Sequence, residues 1–380
     1  MRRVDIRTIP EGALLARPLV DQRGVVVLAA GKSVSETMRE RLWERGFRHA
    51  YVEAPGFEGL KVREPLEDHT YQTVRHLLVD VVAALRRGAD PSEVRLPVPA
   101  LLEATSAACE DLARQQQQPE GFLLYPPWGT LADRFVTDSI NVAVVAARVG
   151  FAVLGEEGAR HLFLAGLLQD LGRWLDDRPS EHVAVSLAMV RGIREISAWV
   201  KHIIADHHER LDGSGYPQGK RAEALHPLSR VMAVAVAYLE LIMKPRRPTL
   251  PHEAQEHLMA EAGTLFDWEA VQALRRVLPG YPVGTVVRLS TRRIGVVVHP
   301  GPASLNRPRV RLLGRAADRE VRLPEPAEET EGADEAVGQV PMELEEGAGA
   351  GPPAPGKPVS YEEVDLAADH AVAIVEVLDR

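Results

Sequence analysis

A chain of 380 residues, 45% of them hydrophobic, can bury one large core plus one or two small ones, so two or three domains are expected. Its formal charge of -9 is local: nine acidic residues and no Lys or Arg lie between Leu323 and Gly356, and without those nine the acids equal the 45 bases, which leaves no basic face for nucleic acid. The single cysteine, Cys109, excludes an internal disulfide and suits the cytoplasm, while apolar runs such as 142–149 are too short or too interrupted to span a bilayer. Met1-Arg2-Arg3 leads into Asp5 and Arg7 rather than into an apolar stretch, so no signal peptide is visible.

In chain order, residues 1–57 read as a small α/β module. Val25 to Ala29 is a β-branched run after the turn signal Asp21-Gln22-Arg23-Gly24. Ser33 and Glu36 have capping-box spacing before a helix with Met38 and Leu42 on its apolar face, and Gly46 ends that helix before a strand at Ala50-Tyr51-Val52. Residues 58–121 form a helical linker. One stripe carries Val74, Leu77, Leu78, Val81, Val82 and Leu85; a second carries Val98, Leu101, Leu102, Thr105, Cys109 and Leu112. From 122 to 279 the period stays helical, over 131–149, 157–175, 182–207, 226–242, 251–263 and 268–278, with a break at Gly150 and others at 176–179, 213–217 and 245–251. This is a mainly α chain with a bundle able to hold a polar site between facing helices.

From Tyr281 the pattern alternates. Residues 286–289, 295–299 and 309–313 read as short strands of a small β unit over 280–380. The acidic, Pro/Gly/Ala-rich stretch 324–357 lacks aromatic residues and reads as a disordered insertion within that unit, because it has too little apolar surface to fold alone.

The chemistry is concentrated at His207-His208-Glu209-Arg210-Leu211-Asp212-Gly213-Ser214-Gly215-Tyr216-Pro217. Imidazole and carboxylate are the usual ligands of divalent transition metals, and the glycines and proline fold the chain back beside them. Taken apart, HHE is a polar helix end and GSGYP a turn. Joined, they resemble the signature of the HD-GYP family, metal-dependent phosphodiesterases of bacterial cyclic-di-GMP signalling. The resemblance implies an HD-type helical bundle over 122–279. It extends to residues 15–52, similar to a module that often precedes such bundles, and to "VDLAADHAVAIVEVLD", similar to the segment closing the β unit behind them. The N-terminal module would then be regulatory, partner-binding or simply structural.

Carried residue by residue, the resemblance implies metal ligands at Asp138, Asp170, His182, His207 and His208. It also implies a cation at Arg173 acting with Asp170 in catalysis, and substrate or partner contacts at Arg173, Glu209, Asp212, Gly213, Gly215, Tyr216 and Pro217. Three stations depart from the family pattern. Asp138 replaces a His in Asp138-Ser139-Ile140-Asn141-Val142, Gln169 replaces the His of the His-Asp pair, and Val236 occupies the place of a ligating Asp. Glu240 stands about one helical turn beyond Val236. The family's chemistry needs two or more metals bridged by a carboxylate, so the loss of an imidazole and a carboxylate implies at most one divalent metal, iron or manganese, or none. The expected protein binds cyclic-di-GMP, a related nucleotide or a signalling-protein partner and hydrolyses slowly or not at all. A second reading is an active phosphodiesterase with a reduced site; a third places the function in the N-terminal module and β unit, with the bundle as scaffold.

Overall fold

The computed structural model describes residues 1–21, 25–45, 47, 49–54, 56–60, 64–87, 94–116, 124–125, 131–175, 178–243, 249–301, 307–313 and 361–378. Gly24, Gly46 and the acidic stretch 324–357 lie outside the described residues.

The N-terminal module pairs β1 (Arg2–Asp5) with β4 (His49–Val52) and β2 (Leu19–Val20) with β3 (Val26–Leu28), both antiparallel. Between them lies α1 (Glu36–Glu44). Its cap is Ser35, whose hydroxyl accepts from the Met38 amide, rather than Ser33; the helix starts two residues later than the capping-box spacing suggested, since Glu36 opens it instead of closing a box. Ile6, Ile9, Leu15, Val34 and Leu42 close this small core.

Helices α2 (Asp68–Arg86) and α3 (Val98–Gln116) bury the two stripes read from the sequence, except that Leu77 is half-buried and Leu102 faces solvent. They pack on α4 (Leu131–Leu168), the centre of the bundle, which also meets α6 (Ala198–Asp206), α7 (Pro227–Ile242) and α9 (Trp268–Val277). The expected break at Gly150 is displaced to Gly155, the residue of α4 with non-helical angles (φ 73°, ψ −171°), a left-handed φ that glycine adopts without strain. Gly150 is helical because its missing side chain serves packing: a Cβ there would collide with Leu162. The two halves fold back on each other so closely that a Cβ on Gly166 would lie 2.6 Å from Ala143 Cα. By length and composition this helix could cross a membrane, but 78% of its most apolar window is buried inside the protein, the condition of a core helix.

The helix expected over 182–207 is two: α5 (Pro179–Arg191) and α6, separated by residues 192–197. Ser197 starts α6 by accepting from the Val200 amide. The redirection lets residues from the start of α5 and the end of α6 face each other. Helix α8 (Pro251–Ala260) then packs on α7 and α9.

Strands β5 (Val286–Leu289), β6 (Ile294–His299), β7 (Arg309–Leu312), β8 (Glu363–Asp365) and β9 (Ile374–Val377) form an antiparallel sheet in the order β8-β7-β6-β5-β9. The last segment of the chain thus supplies both edges. This sheet shares a core with the N-terminal module, in which Tyr51, Phe57 and Leu60 pack against Val283, Val286, Val296, Leu313 and Leu378. The Arg311 guanidinium donates to the carbonyls of Gly56 (3.2 Å) and Glu58 (2.7 Å), so residues far apart in sequence form one joined body.

Candidate metal centre

Helix α4 ends at Leu168, and Asp170 then opens a single 3-10 turn, Leu171–Trp174. That turn lies against α5 with no room for a side chain on Gly172, where a Cβ would strike the His182 carbonyl; the Gly172 amide donates to Ser186 Oγ at 2.8 Å. This contact sets Asp170 beside His182 in the first turns of α5. His207 and His208 arrive from the end of α6.

The four side chains converge. One ligand atom from each of Asp170, His182, His207 and His208 lies within 4.8 Å of every other. Asp170 Oδ1 is 3.5 Å from His182 Nε2 and 3.6 Å from His207 Nε2. The three imidazoles are buried, and all three Nε2 atoms together with Asp170 Oδ1 lack a hydrogen-bond partner. Leaving four polar atoms buried and unpaired around one point costs about 1–3 kcal/mol each. A shared cation would satisfy them all. The opposite ring nitrogens are committed elsewhere: His182 Nδ1 lies 3.2 Å from the Arg178 carbonyl and His207 Nδ1 2.8 Å from that of Ile204. Donation from Nδ1 to a carbonyl fixes the tautomer that turns a bare Nε2 inward, the arrangement of metal-ligating histidines.

The electrostatics agree. Burial works to raise the Asp170 carboxyl, but contact with His207 and the charges of His207 and Arg173 hold it well below the usual carboxylate range. Burial lowers His182, and burial reinforced by the neighbouring His207 pushes His208 down to about 2. A carboxylate beside three imidazoles is a donor set for borderline divalent ions such as iron, manganese or zinc.

The Gly-x-Gly-Tyr-Pro loop closes over this cluster. The Tyr216 ring stacks on His208 with centroids 4.5 Å apart, and its amide donates to the His208 carbonyl at 3.3 Å. Gly215 permits the approach, since a Cβ there would stand 2.5 Å from backbone atoms of His208, Glu209 and Arg210. Gly213 turns the chain at φ 86°, and Pro217 follows Tyr216 through a cis bond. Glu209 and Asp212, expected among the substrate or partner contacts, also help to build the loop. Glu209 is buried and accepts from the amides of Gln218 (2.7 Å) and Lys220 (2.9 Å), which aims its carboxylate into the loop. Asp212 is spent on the Ser214 amide and hydroxyl, at 2.9 and 2.7 Å.

The remaining expected residues lie around the cluster without joining it. Asp138 falls outside the group of four. One of its carboxylate oxygens is buried without a partner, and burial, reinforced by the charge of Asp170, pushes its pKa up to about 7. Gln169 is buried with both amide atoms unpaired, and Val236 is sealed into the apolar face of α7. Arg173 stands at the rim, its side chain 45% exposed and 3.6 Å from Asp170 Oδ2, so its guanidinium remains available to an anion. Sequence reasoning missed the ion pair between Lys220 and the buried Asp206, at 2.7 Å, which ties the far end of the loop to α6. The only signal for it was one of six lysines placed just after a turn.

Comparison with known proteins bears on this centre. Residues 177–270, which contain His182, His207 and His208, match the HD domain family. The chain is 32% identical over 194 residues to the cyclic di-GMP phosphodiesterase PA4108 of Pseudomonas aeruginosa, covering 46% of this chain and 47% of that protein. It is 31% identical over 172 residues to the cyclic di-GMP phosphodiesterase response regulator RpfG of Xanthomonas campestris pv. campestris, covering 40% and 44%. A 3'3'-cGAMP-specific phosphodiesterase 1 of Vibrio cholerae is 32% identical over 107 residues, 23% of this chain and 24% of that protein. The chain thus spans about half the length, or less, of the curated relatives it matches. Among solved structures, Bd1817, a HDG"Y"P protein from Bdellovibrio bacteriovorus, aligns at 15% identity with a TM-score of 0.44, over 72% of this chain and 97% of that one. Residues 177–270 thus match an HD domain, and the chain is similar, over less than half of its length, to curated cyclic di-GMP phosphodiesterases.

Proposed function

We propose that this is a cytoplasmic protein of cyclic-di-GMP signalling that holds at most one divalent metal, iron or manganese. It binds cyclic-di-GMP or a related nucleotide, or a signalling-protein partner, and is impaired as a phosphodiesterase. One observation carries the reading: among the described residues the metal-ligand candidates form a single group of four, Asp170, His182, His207 and His208, while the adjoining positions offer a carboxamide at Gln169 and an apolar side chain at Val236.

A divalent ion held by the four would supply positive charge to a phosphate and acidify a water. The protein's own residues do the rest. Asp170 contributes the negative charge that draws a cation in, and burial lowers the pKa of His182 and His208, which favours their neutral forms. Arg173 presents a planar donor fork to a phosphate at the rim, and Tyr216 seals one face of His208 from solvent. With Gln169 and Val236 in place of an imidazole and a carboxylate, the site offers fewer donors for a second cation, which would stabilise attacking and leaving oxygens together.

A second reading is supported by the retention of four buried, convergent donors: an active phosphodiesterase with a mononuclear site. Element analysis of the purified protein, run beside cyclic-di-GMP hydrolysis with added manganese or iron and calorimetric titration with cyclic-di-GMP, separates the two. Binding with at most one metal per chain and negligible turnover supports impairment. Two or more stoichiometric metals, or turnover that manganese or iron sustains, overturns it.

A further inference from the structure

Two of the three imidazoles in the cluster are oriented by backbone carbonyls, Arg178 for His182 and Ile204 for His207. Among the described residues no carbonyl plays that part for His208. Its Nδ1 instead faces a carboxylate, Glu240 Oε1, at 4.0 Å, while its Nε2 points into the buried cluster. Glu240 comes from α7, one turn after Val236, so both look toward the same side of the bundle. Val236 is only 3% exposed and holds no charge, whereas the Glu240 side chain is 46% exposed and free to adjust. A change of about 1 Å in that side chain brings the pair to hydrogen-bond distance. Tyr216 stacks on the face of the His208 ring.

We propose that Glu240 is the positioning residue of His208: its carboxylate accepts the Nδ1 proton, turns Nε2 toward Asp170, His182 and His207, and returns to the α7 side of the centre the negative charge that Val236 lacks. Glu240 is not a ligand in this scheme. A carboxylate behind a ligating imidazole fixes its tautomer and raises its basicity, and loss of such a partner typically weakens metal binding 10–100-fold. The proposal rests on reading the four residues as a metal centre, but its first consequence, the tautomer of His208, is visible without any metal.

The test compares the full-length protein with Glu240→Ala, Glu240→Gln and Glu240→Asp. In metal-free protein, two-bond proton–nitrogen correlation spectra report which nitrogen of each imidazole carries the proton. The expected result is an Nδ1-protonated His208 in the wild type that loses this preference in Glu240→Ala and keeps it in Glu240→Asp, with His182 and His207 unchanged throughout. Titration with cobalt(II), followed by its visible absorption, should show 10–100-fold weaker binding for Glu240→Ala, near-wild-type binding for Glu240→Asp and an intermediate value for Glu240→Gln, which accepts the proton but carries no charge. A His208 tautomer indifferent to Glu240→Ala overturns the proposal, as does cobalt affinity within twofold of wild type. If the wild type binds no cobalt, the metal-centre reading fails by itself and the tautomer result still decides the role of Glu240.

Discussion

Removing Glu209 should cost more than removing any other polar side chain of the loop, although it touches neither the cluster nor solvent. Its carboxylate holds the Gln218 and Lys220 amides at 2.7 and 2.9 Å, and the residue is 1% exposed. A hydrogen bond to a charged acceptor contributes about 1.5–3 kcal/mol. Both freed amides lie in a partly exposed loop where water recovers some of that, so Glu209→Ala should destabilise the bundle by about 3 kcal/mol. For a domain of this size that corresponds to a fall in Tm of about 6–12 °C. Glu209→Gln keeps one bond and sets its amide N–H against the other donor, for a loss of about 2 kcal/mol. Asp212→Ala removes only an exposed turn contact and should shift Tm by about 2–4 °C or less. Scanning calorimetry of the metal-free proteins, in EDTA at neutral pH, measures all three. A Glu209→Ala protein melting within 2 °C of wild type, or below the damage done by Asp212→Ala, would refute the claim that this buried carboxylate supports the Tyr216 loop.

Asp138 sets a pH dependence of known sign. A carboxyl raised from 3.8 to about 7 holds its proton more tightly folded than unfolded, so stability drains away as pH climbs between those values and the penalty is complete above 7. Asp138→Asn should therefore raise Tm at pH 8 and change it little at pH 4; equal gains at both pH values would show that the group is not forced toward neutrality by burial. Gly215→Ala drives a Cβ to 2.5 Å from backbone that cannot move aside, and limited proteolysis should cut the loop well before wild type does; equal cleavage rates count against the close approach. Restoring the family's ligands with Asp138→His, Gln169→His and Val236→Asp together should raise metal occupancy and yield measurable cyclic-di-GMP hydrolysis, while Val236→Asp alone should lower Tm by placing an unpaired carboxylate in the apolar core; wild-type turnover that the triple variant does not exceed defeats this expectation.

Contiguous features were legible from the sequence because short-range physics governs them. The strand at 286–289 is found with the same bounds, the α7 start falls within one residue of the expected 226, and the buried stripes of α2 and α3 follow the helical period with Leu102 the clear exception. The same holds for His207, His208 and the Tyr216 turn, whose proximity needs no long-range contact. Period alone says which face of a helix is apolar but not which neighbour that face meets, so everything depending on closure was decided by the tertiary structure. The helix break moved from Gly150 to Gly155 because a glycine needed for close packing and one needed for a left-handed φ look alike in sequence. Asp170 and His182 are neighbours only because Gly172 lets a 3-10 turn lie flat on α5, and Glu209 supports the loop because the chain folds over it. Asp138 falls outside the group of four for the same reason: a ligand's value is set by the direction and distance at which packed helices present it, and that geometry comes from many distant contacts at once.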